Sequence, residues 1–432
     1  MKVLYDVSVL GAAELDETAR TGVYRFTAEL GRKLAGAPDI SLEFSTLQNS
    51  LLYKYAKTCV SDFIPYQVPF IESKIRKPKQ GKQAGKERLV SWVQFLVKKV
   101  KGGFPDSIKE KLDKIRQTRS WHLASLGTIS SELIKVIEEF DILHLPWFID
   151  KSLSQLRNVK IFLTIHDLLP LRFPNLFSYS NRESFLRNLR SINDKIWIHC
   201  VSNSTRNDVL ELLKKKVNPD RVFVVPLAAS NHFRRIVNRS VLEEIKGKYG
   251  IPSNAQYLLS ICTLEPRKNL VSALRAFSIV AQKKDHIKFL LVGTKGWHYK
   301  KIFKLVQDLG IGNDVIFTGY VLDEDLPALY SAAMCFVYPS YYEGFGLPPL
   351  EAMSCGVPVV VSNRASLPEV VGNAGLYVDP DDVEGIAKSI TRILNNDCLR
   401  KELSEKAMKR ASLFSWEKTV RDIIAMYRLS RS

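Results

Sequence analysis

The feature that most constrains this chain is the alternation of short, continuously apolar segments with helical patterns. The apolar segments of the first half are KVLYDVS, DILHLPW, VKIFLTIHD and IWIHCVS, and those of the second are QYLLSICT, IKFLLVGT, DVIFTGY, MCFVYPS, VPVVVSN and AGLYVDP. Strands that are apolar along their whole length and separated by helices indicate parallel sheets covered on both faces. Two such series predict an α/β chain with two Rossmann-like, doubly wound domains.

The charged connector between the two series places the domain boundary. NHFRRIVNRSVLEEIKGKYGIPSNA follows RVFVVPLAAS, so we predict a boundary near residue 230. The predicted parts are an N-terminal domain over 1–230 with a basic insertion at about 72–120, a C-terminal domain over 231–415, and a final helix over 416–432. Because open α/β sheets bind ligands at the carboxyl ends of their strands, we expect the two domains to face each other across a cleft.

Charge and cysteine usage indicate the class of protein and its compartment. Residues 74–119 hold 15 Lys/Arg and 4 Asp/Glu, which accounts for +11 of the net charge of +18. The six cysteines have no paired spacing, which favours free thiols in a reducing compartment. The N-terminus lacks a signal-peptide pattern because Asp6 interrupts its apolar run, and no window is long and apolar enough for a spanning helix. We therefore expect a cytoplasmic protein.

The segment YYEGFGLPPLEAMSCGVPVV has the pattern strand, glycine-rich turn, helix, glycine stop and strand. Gly344 and Gly346 allow close backbone approach to a ligand, and the two prolines that follow fit a first helical turn. A helix N-terminus after glycines favours an anion such as phosphate. Glu343 and Glu351 would repel that anion, so we expect these carboxylates to bind neutral hydroxyl groups, as a sugar offers.

A pair of cations precedes the first helix of the second series. In SICTLEPRKNLVSALRAF, Arg267 and Lys268 follow the turn after a strand and stand just before an amphipathic helix. Cations are disfavoured at a helix N-terminus, whereas at the carboxyl end of a strand they are well placed to neutralise a diphosphate.

Five segments carry a family resemblance. TLEPRKN, LLVGTKGW, FTGYVLDEDLPALYSAA, YPSYYEGFGLPPLEAMSCGVPVVVSNRASLPEVVGNAGLYVDPDD and FSWEKTV together resemble the GT-B retaining glycosyltransferases of family 4, over almost all of residues 255–430. The two glutamates seven residues apart are the most specific element. The resemblance implies a GT-B fold, with the last helix crossing back to the N-terminal domain, and a nucleotide-sugar donor held mainly by the C-terminal domain.

The resemblance also implies roles for residues of the second half. Glu343 would contact the donor sugar, Glu351 would bind the ribose hydroxyls, and Arg267 and Lys268 would hold the diphosphate. Backbone groups would contact the sugar and phosphate at Gly344, Phe345, Gly346 and Leu347, and the base at Tyr320 and Val321. This chain departs from the family at Thr263, where many members carry Arg. The departure leaves open which part of the diphosphate Arg267 would bind and which part Lys268 would bind.

The first half resembles the family in two places. TGVYRFTAEL matches its glycine-bearing first loop, so Gly22 would approach the diphosphate or the acceptor. LTIHDLLP places His166 after a strand, where family members have a histidine that contacts the donor sugar near the reacting carbon. Glu343, His166, Arg267 and Lys268 are then the candidate catalytic residues.

The resemblance further implies metal-independent transfer with retention of anomeric configuration, and we expect no cofactor. Two D-x-D strings, DED at 323–325 and DPD at 379–381, could coordinate a metal that carries a diphosphate. Each precedes a helical pattern, so the sequence favours helix capping for both.

The sequence allows more than one donor, acceptor and partner. The donor could be GDP-mannose or a UDP- or dTDP-hexose, and the acceptor a glycan or a lipid-linked glycan. The basic segment 74–119 either rests on an anionic membrane surface or is a solvated insertion. Its few aromatic residues are not interleaved with its cations, which argues against nucleic acid. The alternative function is a catalytically silent nucleotide-sugar-binding or interaction protein on the same scaffold.

Overall fold

The computed structural model describes residues 1–10, 22–47, 56–57, 60, 68–71, 129, 131–147, 149–177, 179–284 and 286–432. Strands and helices alternate through these ranges as the sequence predicts. The predicted basic insertion, including the segment 74–119, lies outside the described residues. Within the described part of the chain, no helix has the length and apolar character needed to cross a membrane.

The first sheet has six strands in the order β2-β1-β3-β4-β5-β6. These strands are β1 (Lys2–Asp6), β2 (Ser41–Ser45), β3 (Ile142–Leu145), β4 (Lys160–Ile165), β5 (Trp197–Cys200) and β6 (Val222–Val224). The pairs β1–β2, β1–β3 and β5–β6 are parallel. Strand β3 is buried along its whole length, as a strand covered on both faces should be.

The second sheet also has six strands, in the order β12-β11-β10-β7-β8-β9. They are β7 (Gln256–Ile261), β8 (Ile287–Val292), β9 (Val315–Gly319), β10 (Cys335–Tyr338), β11 (Val359–Ser362) and β12 (Gly375–Val378). All five pairings are parallel. The order reverses between β7 and β10, and such a reversal is where doubly wound sheets bind ligands.

The described helices connect these strands. They are α1 (Gly22–Ala35), α2 (Ser131–Ile137), α3 (Leu169–Arg172), α4 (Tyr179–Arg190), α5 (Asn203–Leu212), α6 (Arg239–Lys248), α7 (Leu270–Ala281), α8 (Tyr299–Asp308), α9 (Leu326–Ser331), α10 (Leu347–Ser354), α11 (Leu367–Val371), α12 (Val383–Asn395), α13 (Asp397–Ala411) and α14 (Trp416–Leu429). Polar caps set several of their starts; the hydroxyl of Ser202, for example, accepts from the backbone N–H of Thr205 at the start of α5.

The core of the second sheet forms between its strands and the helices α7 and α12. Phe277 on α7 and Phe289 on β8 are fully buried, and their rings lie 5.3 Å apart. Ile386 and Ile390 on α12 are buried in the same cluster. Burial of each such side chain stabilises the fold by roughly 1.5–3 kcal/mol, so this core holds the strand ends that carry the candidate site in fixed positions.

The chain forms two compact units. The first comprises Met1–Phe162 and Glu183–Ser191, and the second comprises Leu163–Arg182 and Ile192–Ser432. The predicted domain boundary near residue 230 stays a prediction. Within the second unit, the hydroxyl of Thr419 on α14 donates to the carbonyl of Pro226, 2.7 Å away, just after β6. The last helix therefore contacts the segment that follows β6, and its predicted return to the N-terminal domain stays a prediction.

Candidate active site

The candidate site forms where β7 and β10 lie side by side. Because these strands are neighbours and parallel, the segments that follow them emerge at the same edge of the sheet. The 3-10 helix Pro266–Lys268 follows β7, and the loop that leads to α10 follows β10. The backbone N–H of Tyr341 and the hydroxyl of Ser340 both donate to the carbonyl of Arg267, at 2.9 and 3.1 Å. Hydrogen bonds thus connect the segment after β7 to the segment after β10.

Three predicted catalytic residues meet here in one buried ion cluster. Lys268 Nζ lies 2.6 Å from Glu343 Oε1, and Arg267 donates to Glu343 Oε2 at 3.0 Å. Ser340 Oγ lies 2.6 Å from Oε1, so its single proton is shared between this carboxylate and the carbonyl of Arg267. Glu343 and Lys268 are each only 7% exposed. Removal of one partner from a buried ion pair costs about 3–5 kcal/mol, so each of these charges depends on the others.

The cluster keeps Glu343 ionised. Burial alone would raise the pKa of this carboxyl, but the charges of Lys268 and Arg267 and the hydrogen bonds outweigh burial and lower the pKa to about 2. For Arg267, burial acts to lower the pKa, and the charges of Glu343 and Glu265 raise it above its ordinary value. The site therefore holds permanent opposite charges at any physiological pH.

Glu265, which the sequence did not single out, completes the charge balance. Its Oε1 lies 2.6 Å from Arg267 Nε, in an ion-pair contact that lacks hydrogen-bond geometry. Two cations thus face two carboxylates, Glu265 and Glu343. Lys268 also donates to the hydroxyl of Tyr338 at 2.8 Å. The cations predicted to hold a diphosphate are already compensated within the protein, so an entering phosphate would share them with Glu343.

The glycine-rich turn follows directly and is held through its carbonyl groups. The hydroxyl of Ser202 donates to the carbonyl of Gly344 at 2.5 Å, and that of Thr205 does so at 3.2 Å. Ser366 shares its hydroxyl proton between the carbonyls of Glu343 and Phe345, whose oxygens lie 2.9 and 2.7 Å from its Oγ. None of these hydroxyls was predicted to serve the turn. Their hydrogen bonds fix the backbone orientation from residue 343 to residue 345.

The N–H groups of the same turn are left for another partner. Helix α10 begins at Leu347 as predicted, with Gly346 before it in the left-handed region at φ 104°. Among the residues that the structure describes, no acceptor binds the backbone N–H groups of Gly344, Phe345, Gly346 or Leu347. Free N–H groups at a helix N-terminus attract anions. The ring of Phe345 packs on Phe414, with centroids 5.9 Å apart, so only its backbone belongs to the turn.

Glu351 lies one turn inside α10 and is 2% exposed. The hydroxyl of Tyr330, a fully buried residue of α9, donates to its Oε2 at 3.0 Å. A buried carboxylate requires such donors. Tyr330 was not predicted from the sequence, and the ribose-binding role of Glu351 stays a prediction.

His166 and its neighbour Asp167 follow β4 and approach the turn. The carbonyl of His166 accepts from the hydroxyl of Thr205 at 3.2 Å, and a Cβ placed on Gly344 would lie 3.1 Å from Asp167 Cβ. Burial raises the pKa of Asp167, against the opposing charge of Arg267. The sequence missed Asp167, although its position directly after a strand end was visible in LTIHDLLP.

The remaining predicted residues lie on other elements. Tyr320 and Val321 follow β9, with Val321 buried and Tyr320 39% exposed. Gly22 is the first residue of α1 and belongs to the first compact unit.

The capping role predicted for the two D-x-D strings is wrong in its detail. Asp325 precedes α9, but its carboxylate accepts from Lys248 and Tyr249, at 2.7 and 2.6 Å, instead of from the helix. The helix after DPD is capped by the next residue, Asp382, which accepts from Gly385 N–H at 2.9 Å. Side chains of another segment thus bind Asp325, and the hydroxyl of Tyr341 likewise donates to Asp381 at 2.8 Å. Among the described residues, no cluster of three or more His, Cys, Asp or Glu could hold a metal ion.

Comparison with known proteins identifies the family. The family model described as glycosyl transferases group 1 matches residues 241–410. The O-antigen chain mannosyltransferase B of Escherichia coli is 38% identical over 270 residues, which are 62% of this chain and 69% of that protein. The chain belongs to the group 1 glycosyl transferases. The serotype-specific mannosyltransferase WbdA of Escherichia coli is 32% identical over 266 residues, but the match spans 60% of this glycosyltransferase and only 32% of WbdA.

Solved structures confirm the GT-B fold. HepE of Anabaena, crystallised with UDP and glucose, matches with a TM-score of 0.67 and 16% identity over 98% of both chains. The sucrose-phosphate synthase of Thermosynechococcus elongatus matches with a TM-score of 0.67 and 19% identity, over 99% of the glycosyltransferase and 98% of that chain. At such low identity the likeness concerns the fold alone.

Proposed function

We propose that this glycosyltransferase moves a mannosyl group from GDP-mannose to a glycan or lipid-linked acceptor in polysaccharide biosynthesis, with retention of configuration and without a metal ion. The observation that carries the proposal is the turn at residues 344–347, whose four N–H groups have no acceptor among the described residues. It adjoins a buried cluster that contains Arg267 and Lys268. A sugar diphosphate supplies both the anion and the hydroxyl groups that such a site can bind.

The charges of the site suit departure of a nucleoside diphosphate. The bond between C1 of the sugar and the phosphate oxygen breaks, and its electron pair leaves with the diphosphate. The turn N–H groups, Arg267 and Lys268 stabilise this charge, and loss of one such donor typically costs about 2.7–4 kcal/mol of barrier. A hydroxyl oxygen of the acceptor bonds to C1 from the same face, which retains the configuration. Glu343 Oε2 accepts from Arg267 at 3.0 Å, and a carboxylate oxygen can accept a second hydrogen bond, such as that from a sugar hydroxyl.

The choice of mannose as the transferred sugar is supported by relatives that are mannosyltransferases. Besides the two proteins of Escherichia coli, the MMP alpha-(1->4)-mannosyltransferase of Mycolicibacterium hassiacum is 30% identical over 232 residues, or 52% of each chain. A UDP- or dTDP-hexose is the competing donor class.

Thermal unfolding in the presence of nucleotides tests the donor. A ligand present at 100 times its Kd stabilises the fold by about 2.7 kcal/mol, which is visible as a raised Tm. We expect GDP-mannose and GDP to raise the Tm more than UDP- or dTDP-hexoses at equal concentration. A larger shift with UDP or dTDP compounds would overturn the assignment of the base.

Transfer itself is tested with GDP-mannose and octyl α-D-mannopyranoside, analysed by mass spectrometry and NMR. An α-linked product from the α-linked donor is expected, and a β-linked product would overturn retention. We expect excess EDTA to leave the rate unchanged; loss of activity that added Mn²⁺ or Mg²⁺ restores would overturn metal independence. If Glu343→Ala turns over donor as fast as the wild type, the catalytic role proposed for Glu343 fails; if the wild type itself turns over no donor, the protein is a silent binding scaffold.

We further propose that the basic segment 74–119 attaches the enzyme to an anionic membrane surface, where a lipid-linked acceptor resides. The support is its excess of +11 charges, since each basic residue near such a surface contributes about 1 kcal/mol. Vesicles with 30% phosphatidylglycerol should sediment the protein at low salt, and phosphatidylcholine vesicles should not. Equal sedimentation with both would contradict the proposal.

A further inference from the structure

Asp167 is a further carboxylate close enough to the ion cluster to interact with the charges of Arg267, Glu343 and Lys268. It is the second residue after β4, at the carboxyl end of that strand. The turn at Gly344 packs against it so closely that a Cβ on Gly344 would approach Asp167 Cβ to 3.1 Å. The side chain of Asp167 therefore begins beside Gly344, the residue that follows Glu343.

The two oxygens of Asp167 have different surroundings. Oδ1 accepts from the backbone N–H of Leu169 at 3.1 Å, which fixes the side chain against the start of α3. Oδ2 has no hydrogen-bond partner among the residues that the structure describes, and the side chain is partly exposed. A structural role at α3 thus uses one oxygen and leaves the other without a hydrogen-bond partner among the described residues.

The charge of Asp167 is also uncompensated. Arg267 and Lys268 are balanced by Glu265 and Glu343, and no ion pair of Asp167 exists among the described residues. Burial raises the pKa of the carboxyl; Arg267 and Lys268 act to lower it, and Glu343 acts to raise it. The residue as a whole is half-buried. Such a carboxylate repels phosphate but is a stronger base than an ordinary one.

We infer that Asp167 binds the attacking hydroxyl of the acceptor through Oδ2 and takes its proton during transfer. This inference rests on the proposed function. The acceptor O–H bond breaks, and its electron pair forms the new bond to C1. The C1–phosphate bond breaks at the same time, and its pair leaves with the diphosphate. The proton stays on Asp167 and passes to water after the product departs.

Asp167→Asn is the decisive variant, because the amide oxygen can still accept from Leu169 N–H while the base is lost. With GDP-mannose and octyl α-D-mannopyranoside we expect kcat to fall by about 10²–10⁴-fold. The Tm and the Kd for GDP, measured by calorimetry, should stay close to those of the wild type. Asp167→Glu should recover part of the rate. Asp220→Asn, which changes an exposed carboxylate in the 3-10 helix Pro219–Arg221, should behave as the wild type.

The pH profile separates a base from a structural residue. In the wild type, kcat/KM should fall at acid pH as Asp167 becomes protonated, and this acid limb should be missing from the residual activity of Asp167→Asn. A rate within threefold of the wild type, or a rate loss matched by a loss of GDP affinity, would overturn the inference and leave the proposed function standing. If the wild type transfers no sugar from any donor, the proposed function fails, and the inference fails with it.

Discussion

The backbone of Gly344 lies so close to His166 that a Cβ on the glycine would stand 1.9 Å from the His166 carbonyl oxygen. The backbone of neither residue can shift easily. Hydroxyl groups of Ser202 and Thr205 donate to the carbonyl of Gly344, and the hydroxyl of Thr205 also contacts the carbonyl of His166. Two segments that lie far apart in sequence are thus joined at the turn that the proposal assigns to the donor phosphate.

Gly344→Ala should therefore displace the turn and abolish donor binding. We expect destabilisation of at least about 1–3 kcal/mol from overpacking, and loss of the Tm increase that GDP gives to the wild type. Urea unfolding and thermal shift measure the two effects. The matched control is Gly312→Ala, where a Cβ would meet nothing within 4 Å and where φ is not positive. If the two variants have the same free energy of unfolding and the same Tm increase with GDP, the close approach of Gly344 to His166 is not needed for stability or donor binding.

Tyr342 precedes Glu343 and is held by a second buried carboxylate. Its hydroxyl donates to Asp208, whose other oxygen accepts from Arg172 Nε at 2.8 Å. Loss of a hydrogen bond to a charged group costs about 1.5–3 kcal/mol, so Tyr342→Phe should lower the free energy of unfolding by that amount. Tyr377→Phe, which removes a more exposed hydroxyl, should cost less than about 1 kcal/mol. Urea denaturation of both variants checks this, and a reversed order would contradict it.

His199 on β5 should make the fold sensitive to acid. The ring is fully buried; its Nε2–H donates to the carbonyl of Val225 at 2.8 Å, and Nδ1 accepts from Thr164 at 3.0 Å. Burial lowers its pKa from 6.5 to about 4. The unfolded chain therefore binds the proton first, so stability is lost as pH falls from 6.5 towards 4.

Unfolding free energies at pH 7 and pH 5 measure this loss. His199→Gln should show a smaller difference between the two pH values than the wild type does. His232→Gln, a change outside the buried core, should keep the wild-type difference. An unchanged pH dependence in His199→Gln would exclude His199 as its source.

The sequence predicted those parts of the site that local chemistry determines. The glycines and prolines of YYEGFGLPPLEAM set the turn and the start of α10 at Leu347 because φ preference and the missing proline N–H act within a few residues. The strands on either side were predicted from their continuous apolar character. Strand β2 (SLEFS) was missed because it is short and carries Glu43, and it becomes a strand through its parallel pairing with β1.

Partners distant in sequence could not be predicted in this way. Lys268 and Glu343 are 75 residues apart, and only the adjacency of β7 and β10 brings them together. Asp325 follows the local rule for a helix cap, yet Lys248 and Tyr249 of a preceding helix and its C-cap bind it instead. Side-chain pairing of this kind is decided by strand order and helix packing, which one sequence does not reveal.

The ionised carboxylate of Glu343 should contribute both to the rate of transfer and to the stability of the fold at low pH. Its pKa is lowered from 4.5 to about 2 because the charges of Lys268 and Arg267, together with hydrogen bonds, outweigh burial. The stabilisation is fully present above pH 4.5 and is lost as pH falls towards 2, with a total of about 3 kcal/mol. Glu343→Gln should lower stability at pH 6 and flatten its fall between pH 4.5 and 2. Because the amide cannot balance Lys268 and Arg267, mannosyl transfer should drop by about 10²-fold or more.

Glu402→Gln on α13 is the matched control, since its pair with Lys406 is exposed and 2.6 Å long. Surface pairs contribute about 0–1 kcal/mol, so this variant should keep both the wild-type acid transition and the wild-type rate. Urea unfolding at pH 6, 4 and 3 and the transfer assay give the two readouts on the same samples. An acid transition in Glu343→Gln as steep as that of the wild type would mean that the ion cluster does not lower the pKa of Glu343. A preserved rate beside a flattened transition would mean that the cluster stabilises the fold without serving the reaction.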